Sequence, residues 1–81
     1  MNEAELKKII TSVLEATIAG IDASELEGDD DMRQALDIDS FDSLNFLIAL
    51  HEKFNVDIPE KDYGKLNTVN EIIAYLRAAG V

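Results

Sequence analysis

The chain has 81 residues, 47% hydrophobic and 30% charged, with no cysteine and a formal charge of −10. A single domain of this length, residues 1–81, buries only about 60% of its unfolded surface, which is too little to enclose a deep active site; the missing cysteine excludes disulfides and thiolate metal sites. The acidity speaks against nucleic-acid or anionic-membrane binding, and favours either basic protein partners or simple solubility as a monomer.

At the N-terminus, "MNEAELKKII" lacks the apolar core of a signal peptide. The longest apolar run, "FLIAL", is far short of the ~20 residues that cross a bilayer. A cytoplasmic soluble protein without membrane insertion is expected. Leu6, Ile9, Ile10, Val13, Leu14, Thr17 and Ile18 recur at helical spacing and predict a first amphipathic helix. Asn2 with Glu5 three residues on fits an N-cap and its capping partner, and Gly20 fits a terminator.

Residues 20–39, "GIDASELEGDDDMRQALDID", read as a long ordered loop with a short helical turn near Met32 to Leu36. "GDDDM" is its polar tip, and Ile21, Leu26, Met32, Leu36 and Ile38 are its anchors. Loops this long in a small domain are often functional. Starting at Asp37, the chain departs from a calcium loop, because Asp42 stands where glycine is required.

The central helix is predicted from Ser40 to Phe54. Phe41, Leu44 and Ile48 share one side, and Phe46, Leu47, Leu50 and Phe54 widen the apolar surface. Such a helix is either central to the fold or has apolar positions to spare for a partner or ligand. Pro59 and Gly64 interrupt the next stretch around a short helix at Glu60 to Tyr63. Thr68 and Glu71 form a capping box for a last helix, with Val69, Ile72, Ile73 and Leu76 as its buried face and Gly80 at its end. Nothing alternates with period two, so the fold class is all-α. It is a small four-helix bundle, three main helices plus a short third helix, with a long loop between helices one and two.

Few residues offer chemistry. His51 is the one histidine and has no partners for a triad or zinc site. There is no glycine-rich phosphate loop, so neither catalysis nor a metal site is expected. Ser40 has two readings. Asp39 and Ser40 both suit a helix start, with Asp39 the better N-cap and Asp42 adding favourable charge in the first turn. Alternatively, a serine at the first helical position exposes its Oγ at the positive end of the helix dipole, where an esterified phosphate is favoured. The local pattern leaves both open.

The stretch "DSFDSLNFLIALHEKFNVDIPEKDYGKLNTVNEIIAYL" resembles the acyl carrier protein family. The likeness lies in a D-S-F motif, an amphipathic helix ending in Phe54, an I-P turn, a short helix and a capped last helix, with unbroken spacing from residue 39 to 76. The N-terminal helix and acidic loop also fit. The resemblance implies a 4′-phosphopantetheine attached to Ser40, with Asp39 completing the motif and capping the helix. That cofactor would supply the thiol this chain lacks and carry acyl intermediates in fatty-acid, lipid or secondary-metabolite synthesis. It implies a carrier, not an enzyme. Its partners would be a phosphopantetheinyl transferase, an acyl- or aminoacyl-loading ligase and acyl-processing enzymes with basic docking surfaces. Phe41, Asp42, Leu44, Ile48 and Glu52 would form the docking face, together with Asp39. Leu50, Ile58, Tyr63, Leu66 and Ile72 would line an acyl pocket.

Two departures point to a specialised member. Asn45 and His51 stand where fatty-acid carriers commonly place acids, and Tyr63 and Ile72 where they often have alanine. The added bulk implies a smaller pocket, or cargo that stays outside, or simply a core packed differently. An aminoacyl carrier of the D-alanyl or peptidyl type remains open, as does an acidic helical adaptor without a prosthetic group.

Overall fold

A computed structural model describes residues 1–81 and contains helices only. In chain order they are α1 (Glu3–Thr17), α2 (Met32–Ala35), α3 (Ser40–Phe54), a 3-10 helix (Glu60–Lys65) and α4 (Val69–Ala78). The three long helices form the bundle, and the 3-10 helix is the short member between α3 and α4. The brief α2 is the helical turn expected inside the long loop.

Local chemistry accounts for where these elements begin. At α1, the Asn2 side chain accepts from the Glu5 amide at 2.8 Å while Glu5 accepts from the Asn2 amide at 3.4 Å. Thr68 and Glu71 do the same for α4, at 3.1 and 3.0 Å. Each box occupies amide groups that lack a partner in the first turn. At its far end α1 stops at Thr17, one residue short of the expected stripe. Ile18 turns extended, which buries it in the core, and Gly20 redirects the chain at φ 80°. The short helix runs to Lys65 rather than Tyr63. Gly64 lies inside it, and its carbonyl accepts from the Asn67 side chain at 2.8 Å.

The core consists of 18 buried residues, all apolar. Leu6, Ile10 and Leu14 of α1 meet Phe46, Leu47 and Leu50 of α3 and Val69, Ile72, Ile73 and Leu76 of α4. At roughly 25 cal/mol per Å² of apolar surface buried, such side chains contribute on the order of 1.5–3 kcal/mol each. Ile9, expected in the buried stripe, is half-exposed because it borders an open groove between α1 and α3.

The long loop is held at many points. Ala23, Leu26, Met32 and Ile38 are buried. The Ala23 amide donates to Glu15 of α1 at 2.8 Å. The polar tip docks on the start of α4: the Asn70 amide donates to the Gly28 carbonyl at 3.0 Å, and its side chain donates to Asp29 at 2.7 Å. The Met32 amide donates to the Asn67 carbonyl at 2.9 Å, which fixes α2 against the approach to α4. These ties set the position of the segment that leads into α3.

Candidate functional site

Ser40 is the first residue of α3 and is exposed. Its hydroxyl is not needed to cap the helix, because Asp39 Oδ1 accepts from the Asp42 amide at 2.8 Å. The Asp39 carbonyl takes the Ser43 amide at 3.0 Å. The amides of Ser40 and Phe41 have no protein acceptor, so the positive end of a 15-residue helix lies open beside the Ser40 side chain. Of the two readings of this serine, capping therefore falls to its neighbour.

The approach to Ser40 is tightly turned. Asp31 caps α2, accepting from the amides of Arg33 and Gln34 at 3.0 and 3.2 Å. Asp37 adopts a left-handed conformation at φ 53°, one that aspartate tolerates better than most residues. The chain then doubles back, so that the Ile38 amide donates to the Arg33 carbonyl at 3.0 Å and the Ile38 side chain enters the core. As a result Arg33 and Ser40, seven residues apart, lie side by side: Arg33 Nη2 donates to Ser40 Oγ at 2.9 Å. This arginine was not among the candidate residues. Its signal was its isolation, since it is the sole Lys or Arg between Lys8 and Lys53 in a strongly acidic stretch.

A shallow groove of about 220 Å³ starts at these two side chains. Ser43, Leu44 and Leu47 of α3 form one wall, and Tyr63, Gly64 and Asn67 form the other. Of the five residues expected to line an acyl pocket, Tyr63 borders this groove. The other four, Leu50, Ile58, Leu66 and Ile72, are packed into the core and line no cavity. A larger open groove, of about 660 Å³ between α1 and the C-terminal half of α3, does not reach Ser40.

The residues expected to dock partners share the outer side of α3. Phe41 is 70% exposed, Leu44 40% and Ile48 42%, an apolar line descending the helix from Ser40. Asp42 is half-buried beside it and Glu52 is exposed further down. Exposed apolar side chains in such a row, rimmed by acids, form a surface suited to protein contact. His51 is tied to the structure, its Nδ1 donating to the Val56 carbonyl just beyond the left-handed Asn55 that ends α3.

One polar pair secures the far wall. Tyr75 of α4 donates its hydroxyl proton to Asp62 of the 3-10 helix at 2.7 Å. Lys65 lies 3.3 Å from the same carboxylate. The Tyr75 hydrogen bond, aided by the Lys65 and Lys61 charges against some burial, holds the Asp62 carboxyl below the usual carboxylate range. The same bond, with burial and the charges of Asp62 and Asp57, pushes the Tyr75 phenol up to about 12.

Comparison with known proteins identifies a family. Residues 5–76 match the family model described as a phosphopantetheine attachment site. An acyl carrier protein from Chlamydia caviae is 36% identical over 75 residues, 93% of this chain and 91% of the relative. One from Helicobacter hepaticus is 34% identical over 58 residues, covering 72% of this chain and 76% of its own. One from Rhodococcus erythropolis is 34% identical over 74 residues, 91% of this chain and 76% of its own.

Proposed function

The chain belongs to the phosphopantetheine-attachment family, with acyl carrier proteins among its relatives, and on that premise we propose that Ser40 Oγ is the atom that bears 4′-phosphopantetheine. The observation that carries the proposal is the division of labour at the start of α3. Asp39 caps the helix, and the neighbouring serine hydroxyl stays exposed at the positive helix end. Those features fit a phosphodiester. The hydroxyl is accessible to a transferase, the unpartnered amides and the dipole favour an anion, and a cation stands at 2.9 Å.

In the loading reaction Ser40 Oγ forms the new P–O bond. The diphosphate bond of coenzyme A breaks, adenosine 3′,5′-bisphosphate leaves, and the hydroxyl proton passes to the phosphopantetheinyl transferase. Once bound, the cofactor supplies a terminal thiol that holds an acyl group as a thioester. The protein is then a carrier in acyl or lipid synthesis, and the catalysts are its partners. Phe41, Leu44 and Ile48 present the apolar contact, while Asp42 and Glu52 attract basic rims on a transferase, a loading ligase and acyl-processing enzymes. The close packing of Leu50, Ile58, Leu66 and Ile72 supports a specialised role with a short cargo, or one that rides outside the bundle.

Intact-mass measurement after co-expression with a broad phosphopantetheinyl transferase tests the attachment. The wild type gains one phosphopantetheine and Ser40→Ala gains none. A folded wild type that gains no mass, or a Ser40→Ala variant that still does, removes Ser40 from the role. Comparing melting temperatures after loading short and long acyl chains tests the cargo reading. Strong stabilisation by long chains would show that the core opens to admit them.

A further inference from the structure

The cation beside the attachment hydroxyl has no other evident task. Arg33 makes no ion pair, although the chain carries 17 Asp and Glu; the one salt bridge joins Lys65 to Asp62. No carboxylate lies within 4 Å of the guanidinium, although Asp31 and Asp37 border a shallow groove with it. Asp31 accepts from two amides of α2, and Asp39 accepts from the Asp42 amide. The single side-chain hydrogen bond of the Arg33 guanidinium goes to Ser40 Oγ at 2.9 Å. Its backbone is fixed as well, by the Asp31 cap on one side and by the Ile38 amide on the other.

We propose that Arg33 is the phosphate-binding residue of the loaded carrier, pairing with the phosphodiester on Ser40 and setting the direction in which the prosthetic arm leaves the protein. The proposal rests on the reading that Ser40 bears the group. A neutral hydroxyl is a modest acceptor for a guanidinium. When Oγ becomes part of a phosphodiester, anionic oxygens stand two bonds further out, beyond the phosphorus, within reach of the same fork of N–H donors. Charge-assisted bonds of this kind are shorter and stronger than those to a neutral oxygen, and the planar guanidinium can engage two oxygens at once. The new negative charge enters a chain already at −10, and Arg33 is the one cation at hand to offset it. Arg33 and Ser40 also stand together at one end of the groove whose walls include Leu44, Leu47 and Tyr63. Pairing at the root of the arm would lay its first atoms toward that groove instead of leaving them to swing freely. Because the pair is exposed, its effect on stability is small, and its signature is geometric.

The test uses the loaded full-length protein, prepared with coenzyme A and a broad transferase and checked by intact mass. A folded wild type that gains no mass defeats the Ser40 reading at that step, before Arg33 is examined. With loading established, phosphorus NMR follows the phosphodiester in wild type, Arg33→Ala and Arg33→Lys, and nitrogen-resolved NMR follows the Arg33 guanidinium before and after loading. The expected result is a guanidinium signal that shifts on loading, and a phosphorus resonance that moves in Arg33→Ala and returns part of the way in Arg33→Lys. A residue with only a structural role would not produce that partial rescue. An Arg33 signal unmoved by loading, or a phosphorus resonance the same in all loaded variants, overturns the proposal. Should Arg33→Ala fail to fold, the guanidinium signal of the wild type decides the matter alone.

Discussion

Tyr75 and Asp62 show how much one hydroxyl can organise. Their 2.7 Å bond joins the 3-10 helix to α4 and so steadies the wall of the groove that holds Tyr63. The bond depends on an ionised carboxylate and a protonated phenol, so its contribution has two pH limits. The depressed Asp62 gives stability that is present above the ordinary carboxylate pKa of about 4 and fades as pH falls through its lower folded value. The raised Tyr75 gives stability that is present below about 10 and fades as pH rises through about 12. Tyr75→Phe should therefore melt below wild type at neutral pH. The gap between the two should narrow at both extremes, which thermal melts across a pH series would check. At this scale the sequence was readable where a contact is local: Asp39 as cap and the exposed start at Ser40 follow from residue types in one short stretch. Arg33 was not, because its contact depends on the left-handed turn at Asp37.

The elements owe their limits to caps, and caps can be removed singly. Thr68→Ala should cost about 1 kcal/mol in urea unfolding, and Asp39→Ala a similar amount. The second variant also frees the Asp42 amide, so Ser40 is expected to compete for the capping role and load more slowly, as timed mass spectra would show. Gly28→Ala tests the docking of the long loop. A Cβ at Gly28 would lie 2.6 Å from Asn70 Oδ1, so the Asn70 side chain must give up its bond to Asp29. A loss of about 1–2 kcal/mol is expected, partly recovered when Asn70→Ala is added. The capping boxes at Asn2 and Thr68 were legible because their spacing is their mechanism. The docking of Gly28 on Asn70 was not, since those residues lie far apart in sequence and no periodic pattern joins them. The same holds for the pocket. Sequence placed Leu50, Ile58, Leu66 and Ile72 on inward faces, but whether inward side chains leave a cavity depends on how three helices pack together.

For the molecule as a whole, charge sets two responses to salt with opposite signs. With a net charge of −10 and a single ion pair, the folded chain repels itself. Raising ionic strength shortens the reach of that repulsion, to about 8 Å near physiological salt, and should raise the melting temperature. Docking on basic partners relies on the same long-range field, so the association rate should fall over the same salt range. Asp42→Lys should slow loading by a transferase at low salt, with the difference from wild type shrinking as salt is added. Equal rates at low salt would remove Asp42 from the interface. No helix is long and apolar enough to cross a membrane.

The placement of the two tyrosines also gives the protein an optical signal of its own. With no tryptophan in the chain, its ultraviolet emission comes from Tyr63 and Tyr75. Tyr75 is bonded to a carboxylate, an arrangement that drains the excited state by proton transfer. The remaining light should then come mainly from Tyr63, on the wall of the groove that begins at Ser40. Unlabelled protein should therefore brighten or dim as atoms enter that groove, so that occupancy can be followed in a cuvette in real time.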